Sequence, residues 1–231
     1  HAVSAFCNAG FSLHAESMGA YANRPAALLV VCALVMVGGI GFLLSFELMG
    51  KLRPRRPHRL SLQARIVLAG SVLLWLGGTL FFLWSERDGA LAGRHWDQRL
   101  LFAFFQSVTC RTAGFDVFPS SELSPVGGLG SILLMFVGAA PGSTGGGVKV
   151  STLVMILLLL AAYFRGRRRV DLAGRSIPDS VLRESLAVLS AGLVLVLGGT
   201  VLLMLLDPVA GVDLERSGFE VVSAFATVGL S

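Results

Sequence analysis

The sequence predicts an all-α integral membrane protein assembled from tandem units of helix, re-entrant loop and helix. Three observations carry that prediction. There are long runs without charge, two short loops that collect the basic residues, and a short glycine-bearing segment that occurs three times at matching places. Hydrophobic residues make up 54% of the 231 positions and charged residues 14%. That is too little polarity to cover the surface of a soluble domain, so buried helices of a large soluble protein are the weaker alternative.

No charge occurs between Arg24 and Glu47, Arg65 and Glu86, Glu122 and Lys149, or Glu184 and Asp207. Each run reaches or exceeds the roughly 20 residues a helix needs to cross a bilayer. The net charge of +5 would suit a nucleic-acid partner, but its placement argues against one. Lys51, Arg53, Arg55, Arg56, Arg59 and Arg65 form one cluster. Arg165, Arg167, Arg168, Arg169, Arg175 and Arg183 form the other. Both lie in short loops between apolar runs, which places 51–65 and 165–183 on the cytoplasmic side. The near-neutral loop 86–99 then faces outward. The spans are expected to run inward at about 26–49, outward at about 66–84, inward at about 125–164 and outward at about 186–206. Trp84 and Trp96 stand near the outer boundary, where interfacial tryptophans are favoured.

Residues 1–13, about 98–118 and about 216–231 each hold a short apolar stretch, small residues and a glycine. They are too short to cross, and all lie on the outer side, which predicts re-entrant hairpins of a half-helix and an extended return. They read SAFCNAGFS at 4–12, VTCRTAGFD at 108–116 and SAFATVGLS at 223–231. Superposition pairs Gly10 with Gly114 and Gly229, Asn8 with Thr112 and Thr227, and Phe11 with Phe115 and Leu230. Between successive tips lie one inward span, one basic loop and one outward span, so the segment repeats together with its topology.

That repeat is suited to a cation. Unpaired backbone is tolerated at membrane depth only where it lines a cavity, and a ring of carbonyls can replace an ion's hydration shell without fixed negative charge. Glycine permits the backbone geometry and the close approach, and each half-helix turns its partially negative C-terminus toward the centre. Asp116 is the one carboxylate near a tip, just past Gly114. The expected ion-binding residues are Asn8, Ala9, Gly10 and Phe11, then Thr112, Ala113, Gly114 and Phe115, then Thr227, Val228, Gly229 and Leu230.

The stretch 125–164 is about twice what one crossing needs. In its middle stand Pro141, Gly142, Ser143, Thr144, Gly145, Gly146 and Gly147, then Lys149. This predicts two half-helices joined by an unwound, flexible loop. A lysine near the midplane is expensive, of order 2.5–3.5 kcal/mol on insertion scales, and usually functional. Residues 142–147 with Lys149 are the expected gate; a simple kink with Lys149 snorkelling toward the cytoplasm is the plainer reading. A phosphate loop is excluded, because Val148 separates Gly147 from Lys149, Val150 follows the lysine, and no strand precedes.

Taken together, the tips NAGF at 8–11, TAGF at 112–115 and TVGLS at 227–231, with PGSTGGGVK at 141–149, resemble the Trk/Ktr/HKT superfamily of potassium and sodium transporters. The resemblance covers essentially the whole chain and implies four helix–pore-loop–helix repeats in pseudo-four-fold arrangement around one pore. It implies that 1–60 closes the second repeat, 61–170 is the third and 171–231 opens the fourth. The first filter loop and the closing helix of the fourth repeat are then missing from the chain, and the glycines at three visible filter positions lean toward potassium. It further implies potassium uptake across the plasma membrane, with sodium or mixed transport as the alternative, and potassium as substrate with no cofactor. The implied partners are a second copy in a homodimer, a cytosolic nucleotide-binding regulatory subunit docked on the basic loops, and membrane lipid.

The chain opens on His1 and stops at Ser231 directly after a loop-like segment, which predicts an internal segment of a longer protein. Cys7, Cys32 and Cys110 have neither metal spacing nor an even-numbered disulfide framework. A tandem-pore potassium channel would carry a TVGYG-type filter, which is absent. A broken-helix secondary transporter would show inverted halves. An intramembrane enzyme would need a nucleophile and base; His1, His14, His58 and His95 lie apart and outside the spans.

Overall fold

The computed structural model describes residues 1–14, 16–52, 60–166, 170–172, 175–206 and 213–230. A short helix α1 (Ala2–Phe6) leads through the first tip to α2 (Pro25–Ile40) and α3 (Phe42–Leu52). Then come α4 (Leu62–Ser85), α5 (Trp96–Thr109), the second tip, and α6 (Pro125–Phe136) and α7 (Val150–Phe164). A small ribbon, β1 (Asp171–Leu172) with β2 (Arg175–Ser176), precedes α8 (Asp179–Leu206) and α9 (Leu214–Phe225), which ends at the third tip. The all-α expectation is therefore met apart from this antiparallel two-residue pairing in the basic loop. Arg53, Arg55, Arg56, Arg59, Arg167, Arg168 and Arg169, which carry much of the expected cytoplasmic charge, lie outside the described residues.

Helices α4 and α8, of 24 and 28 residues, are each long and apolar enough to cross a membrane. Their apolar side chains point outward as well as inward: Leu73, Leu80, Val194, Leu197 and Leu205 are exposed, as lipid-facing helices require. Each helix begins or ends on local chemistry. Ser61 caps α4 by accepting from Ala64 N–H at 3.1 Å. Ser124 caps α6 from Gly127 N–H at 3.0 Å, with Pro125 in the first turn.

The two inward spans depart from simple helices in different ways. The span at 125–164 breaks as expected, into α6 and α7. The span expected at 26–49 does not run straight; α2 and α3 meet at a 99° bend. The cause is Gly41, at φ 87° and ψ 152°, a backbone conformation essentially restricted to glycine. The bend also holds α3 against the other broken span. Phe42 N–H donates to Gly142 O at 3.1 Å, and Ala140 N–H donates to Gly39 O at 3.0 Å.

The core lies where the half-helices meet the spans. Helix α5 packs on α4 and α2, and α9 packs on α6 and α8. Phe82, Phe102, Phe105, Phe115 and Met135 are fully buried between them. Small residues let the backbones approach, as in other membrane helix pairs. Ser107 Oγ donates to Trp75 O at 2.7 Å, and a Cβ on Gly78 would strike that same serine. Just past the C-terminus of α4, the buried Glu86 carboxylate accepts from Ser124 Oγ at 2.7 Å and from Ser124 N–H at 3.2 Å, tying α4 to the start of α6.

Candidate functional site

Helices α1, α5 and α9 each end in the same backbone form. Asn8, Thr112 and Thr227 have φ of 51°, 79° and 55°, and two residues later Gly10, Gly114 and Gly229 have φ of 71°, 71° and 88°. Ala9, Ala113 and Val228 stand between. Among the described residues only one further non-glycine, Ser17, has positive φ. A left-handed conformation costs a residue with a side chain about 1–2 kcal/mol, and such strain persists only where the surroundings enforce it. Reversing the sign of φ at alternate residues turns successive peptide planes so that their carbonyls face one side. That is the form a carbonyl-lined passage needs.

The three tips also converge. A Cβ built on Gly10 would lie 2.9 Å from Ala113 O and 3.2 Å from both Gly114 Cα and Val228 O. One built on Gly114 would collide with Val228 O and lie 3.4 Å from Gly10 Cα. Thr112, Ala113, Phe115, Val228 and Leu230 are buried, whereas Phe11, their counterpart in the first tip, is 80% exposed. Asp116 sits beyond the tip; its backbone N–H donates to Ser17 Oγ at 3.1 Å and its carbonyl accepts from Met18 N–H at 2.7 Å. Cys110, just before the second tip, is buried and accepts from Gln106 Nε2 at 3.6 Å.

The glycine-rich segment between α6 and α7 is a closed loop with a hydrogen-bonded neck. Gly138 N–H donates to Val148 O at 2.9 Å, and Val148 N–H donates to Phe136 O at 3.0 Å. Its first residues, Gly142 and Ser143, turn away from the tips: Gly142 O meets the α2–α3 bend, and Ser143 Oγ donates to Ala140 O at 2.6 Å. The next three face the tips. Thr144 Oγ1 donates to Phe6 O at 3.4 Å, and Gly146 N–H donates to Thr227 Oγ1 at 3.1 Å. A Cβ on Gly145 would run into Thr112 Oγ1. Gly147 returns the chain to the neck at φ 69°. Lys149, at the start of α7, folds back to donate from Nζ to Gly145 O at 2.6 Å. The loop thus lies against the first residue of two tips and the half-helix end of the third. At that end the Asn8 amide and Thr112 hydroxyl are buried with no hydrogen-bond partner among the described residues.

One participant was not singled out from sequence. Arg111 is buried between α5 and the second tip. It donates to Gly138 O at 2.9 Å and Ser71 O at 3.3 Å, with its guanidinium 5.3 Å from the Trp75 ring centre. It therefore bridges the tip and the neck of the glycine loop. The lone signal for it in the sequence is a basic residue inside an otherwise apolar tip.

The family model described as TrkH, cation transport protein, matches residues 1–231. The chain is similar to the potassium/sodium uptake protein NtpJ of Enterococcus hirae, at 35% identity over 100% of this chain and 51% of that protein. It is equally similar to the Ktr system potassium uptake protein B of Bacillus subtilis, at 35% identity over 100% of this chain and 51% of that protein. The chain spans about half the length of these curated relatives. Among solved structures, the potassium transporter TrkH of Vibrio parahaemolyticus superposes with a TM-score of 0.70 at 20% identity, over 98% of this chain and 55% of that one, a likeness of fold. The match along its full length shows that the chain belongs to the TrkH cation transport protein family, a family of membrane transporters rather than enzymes.

Proposed function

We propose that the whole protein takes up potassium across the plasma membrane, and that the three tips form most of its selectivity filter. The observation that carries this reading is the triple left-handed, ordinary, left-handed backbone at 8–10, 112–114 and 227–229, gathered at one place. Carbonyls so presented replace an ion's hydration shell, and the partner-free Asn8 amide and Thr112 hydroxyl mark the inner end as a place for an ion or its water. A fourth tip from elsewhere in the full-length protein would close the ring in pseudo-four-fold fashion, beside Gly229, whose Cβ position has no atom within 4 Å. The loop 142–147 is the gate in this reading. It rests against the inner end of the filter, and the Lys149 charge beside it opposes cation passage. The basic loops 51–65 and 165–183 face the cytoplasm, where a nucleotide-binding regulatory subunit docks on the homodimer. Lipid covers the exposed apolar faces of α4 and α8.

Uptake of potassium by the full-length protein in a transport-deficient cell tests the reading. Gly114→Ser should abolish uptake or lose discrimination against sodium, and deletion of 142–147 should change the flux. Potassium uptake with unaltered selectivity in Gly114→Ser would overturn the filter, and unchanged flux in the deletion would overturn the gate. Sodium uptake by the unaltered protein would favour the sodium alternative, which the name of the Enterococcus relative keeps in view.

A further inference from the structure

Resting on the filter reading above, we infer that Thr109 and Ser223 are positioning residues that latch the filter strands to their half-helices and so set ion discrimination. Thr109, the last residue of α5, donates from Oγ1 to Phe115 O at 2.7 Å and accepts from Phe115 N–H at 2.8 Å. Ser223, near the end of α9, donates from Oγ to Leu230 O at 2.6 Å and accepts from Gly229 N–H at 3.2 Å. Phe115 and Leu230 are equivalent positions, each directly after its filter glycine. Two independent tips therefore use the same chemistry: one hydroxyl, both donating and accepting, spans from the half-helix to the far end of the strand, although the N–H it accepts from belongs to Phe115 in one tip and to Gly229, one position earlier in register, in the other.

The rings enclose the strained residues. Thr112 at φ 79° and Gly114 lie between Thr109 and Phe115, and Thr227 at φ 55° and Gly229 lie between Ser223 and Leu230. A left-handed threonine relaxes unless both ends of its segment are held. All four latch residues are buried, so water cannot take the place of a lost hydroxyl. The latch also engages the Phe115 and Leu230 carbonyls, leaving those of 112–114 and 227–229 as the ones free to face an ion. The two hydroxyls are not at equivalent positions, since Ser223 aligns with Val108 and Thr109 with Ala224, so each half-helix end reaches the latch by its own route. The first tip differs: Ser4 aligns with Ser223, but its buried hydroxyl has no partner among the described residues, and Phe11 is exposed.

The test measures the ratio of potassium to sodium uptake by full-length protein reconstituted in vesicles, normalised to the protein present. Thr109→Val keeps the side-chain shape and removes the hydroxyl. It should lower the ratio about fivefold to tenfold, the scale of one or two buried hydrogen bonds, while Thr109→Ser holds it within about twofold of the unaltered protein on the same scale. Ser223→Ala, a smaller change that leaves the fold intact should Thr109→Val disturb it, should lower the ratio likewise, and Ser4→Ala should not. A ratio unmoved in both Thr109→Val and Ser223→Ala overturns the latch, as does a Thr109→Ser variant as impaired as Thr109→Val. Gly114→Ser separates the two levels. If it shifts the ratio while the latch variants do not, the latch alone falls; if none of them shifts it, the filter falls as well.

Discussion

Alanine at Gly114 is the sharpest perturbation the structure offers. The residue sits at φ 71°, so any side chain costs about 1–2 kcal/mol from backbone strain alone. Its Cβ would also enter the space of Val228 O, a backbone atom of a neighbouring strand that cannot rotate away. Forcing atoms into a packed site costs a further ~1–3 kcal/mol, for a total of about 2–5 kcal/mol. Gly10 provides the comparison. It has the same φ of 71°, but its Cβ would come no nearer than 2.9 Å, to Ala113 O. That overlap is smaller than at Gly114 but is also against backbone, so it adds the low end of the packing cost, about 1 kcal/mol, to the strain, for about 2–3 kcal/mol in all. At 1.4 kcal/mol per tenfold, selective uptake should fall about a hundredfold or more in Gly114→Ala and about thirtyfold to a hundredfold in Gly10→Ala. Gly77 in α4 is the control, with open space around its Cβ position and ordinary helical backbone; Gly77→Ala should add about 0.5–1 kcal/mol of stability. Potassium and sodium uptake per unit of membrane-resident full-length protein would decide the matter. Gly114→Ala transporting like Gly77→Ala, or better than Gly10→Ala, would refute the reasoning.

Three further outcomes follow from named contacts. Gly41→Ala places a Cβ 2.8 Å from Pro141 O at a φ of 87°; it should change the potassium flux severalfold while leaving the potassium-to-sodium ratio intact, and a changed ratio would contradict the separation of bend from filter. Lys149→Met frees Gly145 O and removes the charge beside the filter's inner end, so uptake should rise, read as initial rate in cells; a rate at or below that of the unaltered protein would argue against an electrostatic barrier. Glu86→Ala strips Ser124 of its carboxylate partner at the start of α6, which should lower stability by about 3–6 kcal/mol for two such hydrogen bonds at ~1.5–3 kcal/mol each, measured as the thermal midpoint of detergent-solubilised protein.

What was legible in the sequence is what a local rule governs. A bilayer excludes charge over a fixed thickness, so the uncharged runs marked the spans before any contact was known. The tips announced themselves because Asn or Thr, a small residue and glycine recur in fixed register three times, and glycine is the residue a left-handed turn favours. Pro141 and Gly142 stop a helix wherever they stand. The bend at Gly41 was hidden for the opposite reason. In the stretch Gly38, Gly39, Ile40, Gly41, three glycines look alike, and membrane helices carry glycine freely. Only the carbonyls of Pro141 and Gly142, about a hundred residues on, select which one turns. Arg111 was opaque in the same way, since its acceptors on Ser71 and Gly138 are 40 and 27 residues distant.

These nonlocal contacts share one target. Arg111 ties the second tip to the neck of the glycine loop at Gly138, Gly41 and Phe42 grip the loop's near end, and Thr227 and Lys149 hold its far side. Each tether reaches the loop from a different place: the second tip, the α2–α3 bend, the third tip and the start of α7. A loop so held can shift only if a tether yields. The α2–α3 bend and α7 each lead directly to a basic loop, α3 to 51–65 and α7 to 165–183, and displacement of α3 would be felt at Gly142 before it was felt at the tips. The proposed filter and the loop should therefore be separable by mutation even though tips and loop touch. On the proposed reading, substitutions at Gly41 should change the rate at which ions are admitted, and substitutions at Gly114 should change which ions are.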